Sequence, residues 1–127
     1  MLVWSAPVRY AECDAQGVVF NGHYLTWCDE AVTAWLVQSG IGYEQLLGRG
    51  LDFFVVRSEL SWSSSARWGD TVDVDASPDR IGGSSFAVRF EVRVGDRTCC
   101  TVVTTYVMVG PDKKPTRVPD DLRAVFS

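Results

Sequence analysis

The chain has 127 residues, 46% of them hydrophobic and 22% charged, with a formal net charge of -4. A chain of this size can fold as one compact domain burying roughly two-thirds of its unfolded surface, and this composition excludes disordered and collagen-like classes. The acidic balance leaves no basic field to hold nucleic acid or an anionic membrane, and apolar runs such as Phe53 to Val56 are too short to span a bilayer.

Cys13, Cys28, Cys99 and Cys100 lack the spacing of a zinc site, and a single histidine cannot complete a Cys/His cage. No metal and no cofactor are therefore expected. Reduced, mostly buried thiols and an amino terminus without a charged-then-apolar leader lead to the expectation of a cytoplasmic protein.

In chain order, Trp4, Ala6, Val8 and Tyr10 alternate with polar or small residues, which predicts a first strand with its even positions inward. Pro7 then belongs on a sheet edge. From Glu12 to Asn21 the periodicity is broken by Asp14, Gln16 and Gly17, and Asn21 and Gly22 suit a helix start.

Tyr24, Trp27, Cys28, Ala31, Ala34, Trp35 and Gln38 then recur at three- and four-residue spacing, predicting a helix of about 17 residues, roughly 25 Å long, ended by Ser39 and Gly40. A short helix over Tyr43 to Leu47 follows. The remainder has period two: Phe54, Val56, Ser58, Leu60 and Trp62 are placed on one face, then Val72, Val74 and Ala76, then Phe86, Val88, Phe90, Val92 and Val94. Turns are marked at Arg67 to Asp70, Gly82-Gly83 and Gly95-Asp96. Thr98 to Val109 is apolar on both faces, as for a strand paired on both sides, and the proline-bearing tail leads to a short terminal helix.

One long helix followed by antiparallel strands predicts an α+β fold, residues 1–127 forming a single domain whose open strand edges invite self-association. Within it, Asp14 stands in a turn just ahead of the long helix. A carboxylate can serve as base or nucleophile, and a helix amino terminus offers free N–H groups to a developing oxyanion.

The spacing Asp14, Gly17, Val18, Val19, Asn21 and Tyr24 ahead of a helix, with Val55-Val56-Arg57, Gly69-Asp70 and Ser84-Ser85-Phe86 further on, resembles the hotdog-fold acyl-CoA thioesterases of the 4-hydroxybenzoyl-CoA type. The resemblance covers nearly the whole chain. It implies a curled sheet of about five strands wrapped round a central helix, paired into a homodimer or a homotetramer, and hydrolysis of an acyl-CoA thioester. It also implies that Asp14 is the catalytic acid and that the backbone N–H at Asn21 polarises the thioester carbonyl. Some relatives carry histidine where this chain has Asn21; His23 lies two residues later and is read as lining the substrate, with Gly17, Val18, Phe20 and Tyr24.

Arg57, Arg80, Arg89 and Arg93 are candidates for coenzyme A phosphates, because guanidinium forks match phosphate oxygens. Ser84 and Ser85, after two glycines, could meet pantetheine amides or a phosphate. Glu30 on the helix is the rival acid, as in another hotdog branch, although its position is that of a solvated carboxylate. Two other functions compete: a hotdog dehydratase acting on 3-hydroxyacyl thioesters, which needs a histidine paired with an acid, and a non-catalytic acyl-CoA-binding module.

Overall fold

The computed structural model describes residues 1–127. Strand β1 (Leu2–Pro7) leads through one 3-10 turn, Tyr10–Glu12, and a small loop to α1 (His23–Gln38) and α2 (Tyr43–Gly48). Strands β2 (Asp52–Trp62), β3 (Thr71–Ile81), β4 (Ser85–Val94) and β5 (Arg97–Val109) follow, and α3 (Asp120–Val125) ends the chain. The five strands form one antiparallel sheet in the order β1-β3-β4-β5-β2. β5, apolar on both faces, is paired on both sides as expected, while β1 and β2 are the edges. No helix is long and apolar enough to cross a membrane.

α1 runs for 16 residues and buries Tyr24, Trp27, Cys28, Ala31, Val32, Trp35 and Leu36 against the sheet. Its end is a glycine-capped turn. Gly40 sits at φ +83°, its N–H donates to Val37 O at 3.0 Å, and the Ile41 N–H donates to Leu36 O at 2.9 Å. The helix is central only in part, because it packs mainly over β1 and β3 and leaves the β2 side of the sheet more open. Beyond it, Trp35, Phe126, Phe86, Phe53 and Tyr106 close the core through ring contacts of 5.1–6.0 Å.

Two expectations are corrected. Tyr10 does not point inward: the strand ends at Pro7, the 3-10 turn breaks the alternation, and Tyr10 is 75% exposed, edge-on to Trp68 at 5.5 Å. The residues from Phe54 to Trp62 do not share one face either. The register slips between Val55 and Arg57, so Phe53 and Val55 fall on the side of Ser58, Leu60 and Trp62, and Phe54 turns outward. All four cysteines are free thiols, with Cys28, Cys99 and Cys100 buried; burial pushes the Cys100 thiol up to about 11.

Candidate active site

Asp14 opens a tight loop clamped at both ends. Cys13 and Val19 pair as an antiparallel bridge, the Asp14 N–H donates to Val18 O at 2.9 Å, and the Gly17 N–H donates to Asp14 O at 3.0 Å. Gly17 takes φ +79°, which only glycine adopts without strain. The Gln16 N–H donates to Asp14 Oδ1 at 2.8 Å, the side-chain turn common for aspartate, while Oδ2 has no partner in the chain.

Two buried groups hold this loop against the rest of the molecule. Glu12, only 3% exposed, accepts from the Arg9 N–H at 2.7 Å, from Trp27 Nε1 at 3.0 Å and from the Arg9 guanidinium at 3.3 Å. Burial pushes its carboxyl up, but these donors together outweigh burial and hold it below its ordinary value. On the other side, the Tyr24 hydroxyl accepts from the Ala66 N–H at 3.1 Å, and Ala66 O accepts from the Val19 N–H at 2.9 Å. The loop is thereby fixed to α1 and to the segment after β2.

A cavity of about 370 Å³ lies over the loop, walled by Asp14, Val18, Phe20, Asn21, Tyr24 and Trp62, and by Ser63, Ser64 and Ser65. At its rim α1 begins without a side-chain cap, and the N–H groups of Asn21 and Gly22 find no acceptor within the chain. A second cavity, about 720 Å³, opens on the other side of Asp14 between Gly17, Tyr10, Arg67 and Trp68. Asp14, Asn21 and a walled space therefore meet at one place.

Of the residues picked from the sequence, the fold brings together Asp14, Gly17, Val18, Phe20, Asn21 and Tyr24. His23 is turned edge-on to Phe20 at 6.3 Å and does not line either cavity. Glu30 lies exposed beside Trp4, Arg9 and Trp27, away from Asp14. Arg57 is exposed, paired with Glu59, and stands near Arg80 on the outer face of the sheet. Arg89 pairs with Glu91 and Arg93 with Asp73 and Asp75. Ser84 and Ser85 occupy the β3–β4 turn, bonded to Met108 and Gly82.

Sequence reasoning missed Glu12, Tyr10, Trp68 and the serines 63–65. The serine run was a visible signal. Glu12 had none, because its burial depends on Trp27, fifteen residues on.

Comparison with known proteins bears on the fold and the family. The model of the thioesterase superfamily matches residues 16–101. A 1,4-dihydroxy-2-naphthoyl-CoA hydrolase of Thermosynechococcus vestitus is 27% identical, over 95% of this chain and 85% of its own. An acyl-CoA thioester hydrolase of Escherichia coli is 24% identical, over 97% of this chain and 93% of its own. The crystal structure of a 1,4-dihydroxy-2-naphthoyl-CoA thioesterase from Synechocystis superposes with a TM-score of 0.85 at 20% identity, covering 97% of this chain and 93% of that one. The fold, the family match and the full-length relatives converge: the chain belongs to the thioesterase superfamily, as a hotdog-fold thioester hydrolase.

Proposed function

We propose that the protein hydrolyses an acyl-CoA thioester, with Asp14 as the reacting acid and the Asn21 N–H as the oxyanion donor. The observation that carries this reading is the shared cavity. Asp14, one of whose carboxylate oxygens has no partner in the chain, and Asn21, whose N–H has none, both line it. A thioester is already activated, so an oriented oxygen nucleophile and one preorganised donor meet the chemical need.

In the reaction the carbonyl oxygen takes negative charge against the Asn21 N–H. A C–O bond forms from water, deprotonated by Asp14, or from Asp14 itself before water releases the acid. The C–S bond breaks, and the proton leaves with the coenzyme A sulfur. Both routes use the same unengaged carboxylate oxygen. His23 faces Phe20 rather than Asp14, so nothing favours the dehydratase alternative.

The free edge of β2 is the surface on which a second copy would pair, forming a homodimer or a dimer of dimers. Phe54, Val55, Val56 and Trp62 are 44–61% exposed along it. A role for Arg57, Ser84 or Ser85 at coenzyme A would then involve the neighbouring copy, since within one chain they stand apart from Asp14. The test of function is a panel of acyl-CoA thioesters hydrolysed by wild type and by Asp14→Asn, with product acid and free thiol measured. Loss of turnover in the variant supports the assignment, and near-normal turnover refutes it.

A further inference from the structure

Behind the serine wall of the Asp14 cavity stands a cation that lines neither cavity beside Asp14. Arg97, the first residue of β5, donates through Nη1 to Ser64 Oγ at 2.7 Å and to Ser65 O at 3.0 Å. Its Nη2 lies 3.9 Å from Asp70 Oδ2, which accepts from the Arg67 N–H at 2.9 Å. Ser64 Oγ donates onward to Thr98 O at 2.9 Å, and the Ser63 N–H donates to Cys99 O at 2.8 Å. One guanidinium and the start of β5 thus hold the segment from Ser63 to Asp70 at both ends. These bonds use the Ser64 hydroxyl. Ser65, half-buried, lines the cavity with Asp14, and its hydroxyl has no partner in the chain.

The backbone pairing relates Ser65 to Asp14. Cys13 is bridged to Val19 and Val18 to Arg67, and the Val19 N–H donates to Ala66 O at 2.9 Å. Bridged partners share a face and chain neighbours alternate. Val19 and Ala66 are buried, so Asp14, Val18, Arg67 and Ser65 fall together on the other face. Asp14 and Ser65 are then two rungs and two residues apart, about 12 Å between backbones by sheet spacing. Two short side chains directed at each other across that span leave about 6 Å, room for one water with a hydrogen bond to each. An ionised aspartate only accepts, so a water giving one proton to Asp14 has its second proton left for a serine oxygen.

Resting on the acyl-CoA reading above, we propose that the Ser65 hydroxyl holds the attacking water against Asp14, and that Arg97 positions Ser65 for this task by fixing the Ser64–Ser65 segment. Asp14 then acts as base. The water passes a proton to the free carboxylate oxygen as its oxygen bonds to the carbonyl carbon, and the carbonyl electron pair moves to the oxygen at the Asn21 N–H. Collapse breaks the C–S bond, and the sulfur takes the bonding pair and the proton from Asp14. Ser65 is the catalytic residue, since it touches the reacting water. Arg97 is a positioning residue.

The test measures kcat, KM and thermal unfolding for Ser65→Ala, Arg97→Ala and the double variant, on the best acyl-CoA of a panel. Ser65→Ala lowers kcat by about 10–100-fold, leaves KM within about twofold and unfolds with wild type. Arg97→Ala lowers kcat by about tenfold, and the double variant falls no further than the larger single loss, because the two residues act as a unit. A first turnover in ¹⁸O-water places the label in the product acid. Wild-type kcat in Ser65→Ala, multiplying losses in the double variant, or unlabelled acid from the first turnover overturns the proposal. If Asp14→Asn still abolishes turnover, any of these leaves the hydrolase reading standing. Failure of wild type to hydrolyse any thioester overturns both.

Discussion

At its carboxyl end α1 is sealed: Gly40 and Ile41 return their N–H groups to Val37 and Leu36, and Trp35 is buried against Phe126. Its amino end is left open, with no side-chain cap, two N–H groups without acceptors in the chain, and Asp14, one of whose oxygens has no partner in the chain, lining the cavity beside them. One helix thus has a satisfied end that contributes stability and an unsatisfied end suited to chemistry. The contrast teaches that unused hydrogen-bonding capacity, rather than any unusual residue, marks the site. Glu12 and Tyr24 make the open end usable, because they fix the loop around it without occupying it.

Substitutions at the sealed end should cost stability most. Trp35→Ala, which empties a fully packed site, is expected to lower the unfolding free energy by about 3–5 kcal/mol in denaturant titration. Whatever folded protein remains should keep a near-normal kcat. A variant that lost kcat without losing stability would break the contrast between the ends.

Glu12→Ala strands the Trp27 indole and the Arg9 N–H, and should cost on the order of 3 kcal/mol while also reducing kcat, since the Asp14 loop loosens. The Glu12 contribution has a defined pH window. Its folded pKa lies below the ordinary 4.5, so the stabilisation is fully present above that value and is lost as pH falls through the folded pKa. Unfolding curves of wild type and Glu12→Gln should therefore differ at neutral pH and draw together below about 4.5. A constant difference down to acid pH would contradict this.

Tyr24→Phe removes only the acceptor for Ala66, and an effect of about 1–2 kcal/mol is expected, together with a fall in kcat larger than any change in KM. The split between kcat and KM separates displacement of the serine wall from loss of binding. Arg57→Ala, at an exposed ion pair with Glu59, should change stability by at most about 1 kcal/mol.

Much of this fold could be read in the sequence, because period-two and helical spacings are local. The ends of α1, the strands from β2 to β5 and the Gly95-Asp96 turn follow from such patterns. Tyr10 was misplaced because alternation continues on paper past Pro7, where the chain leaves the sheet. The slip at Val56 was invisible for want of a glycine to mark it. At the site, Asp14 and Asn21 were legible by resemblance, since they lie on one short loop. Glu12 was not, and the visible run Ser63 to Ser65 could not be placed beside Asp14, because their roles depend on what distant segments bring together.

The most direct test of the central claim is to measure thioester hydrolysis and thermal unfolding on the same preparation of Asp14→Asn. The account predicts a fall in kcat of about 10²–10⁴ with unfolding at the wild-type temperature, because the amide can still accept from the Gln16 N–H. Near-wild-type hydrolysis, or a loss of activity explained by unfolding, would contradict it.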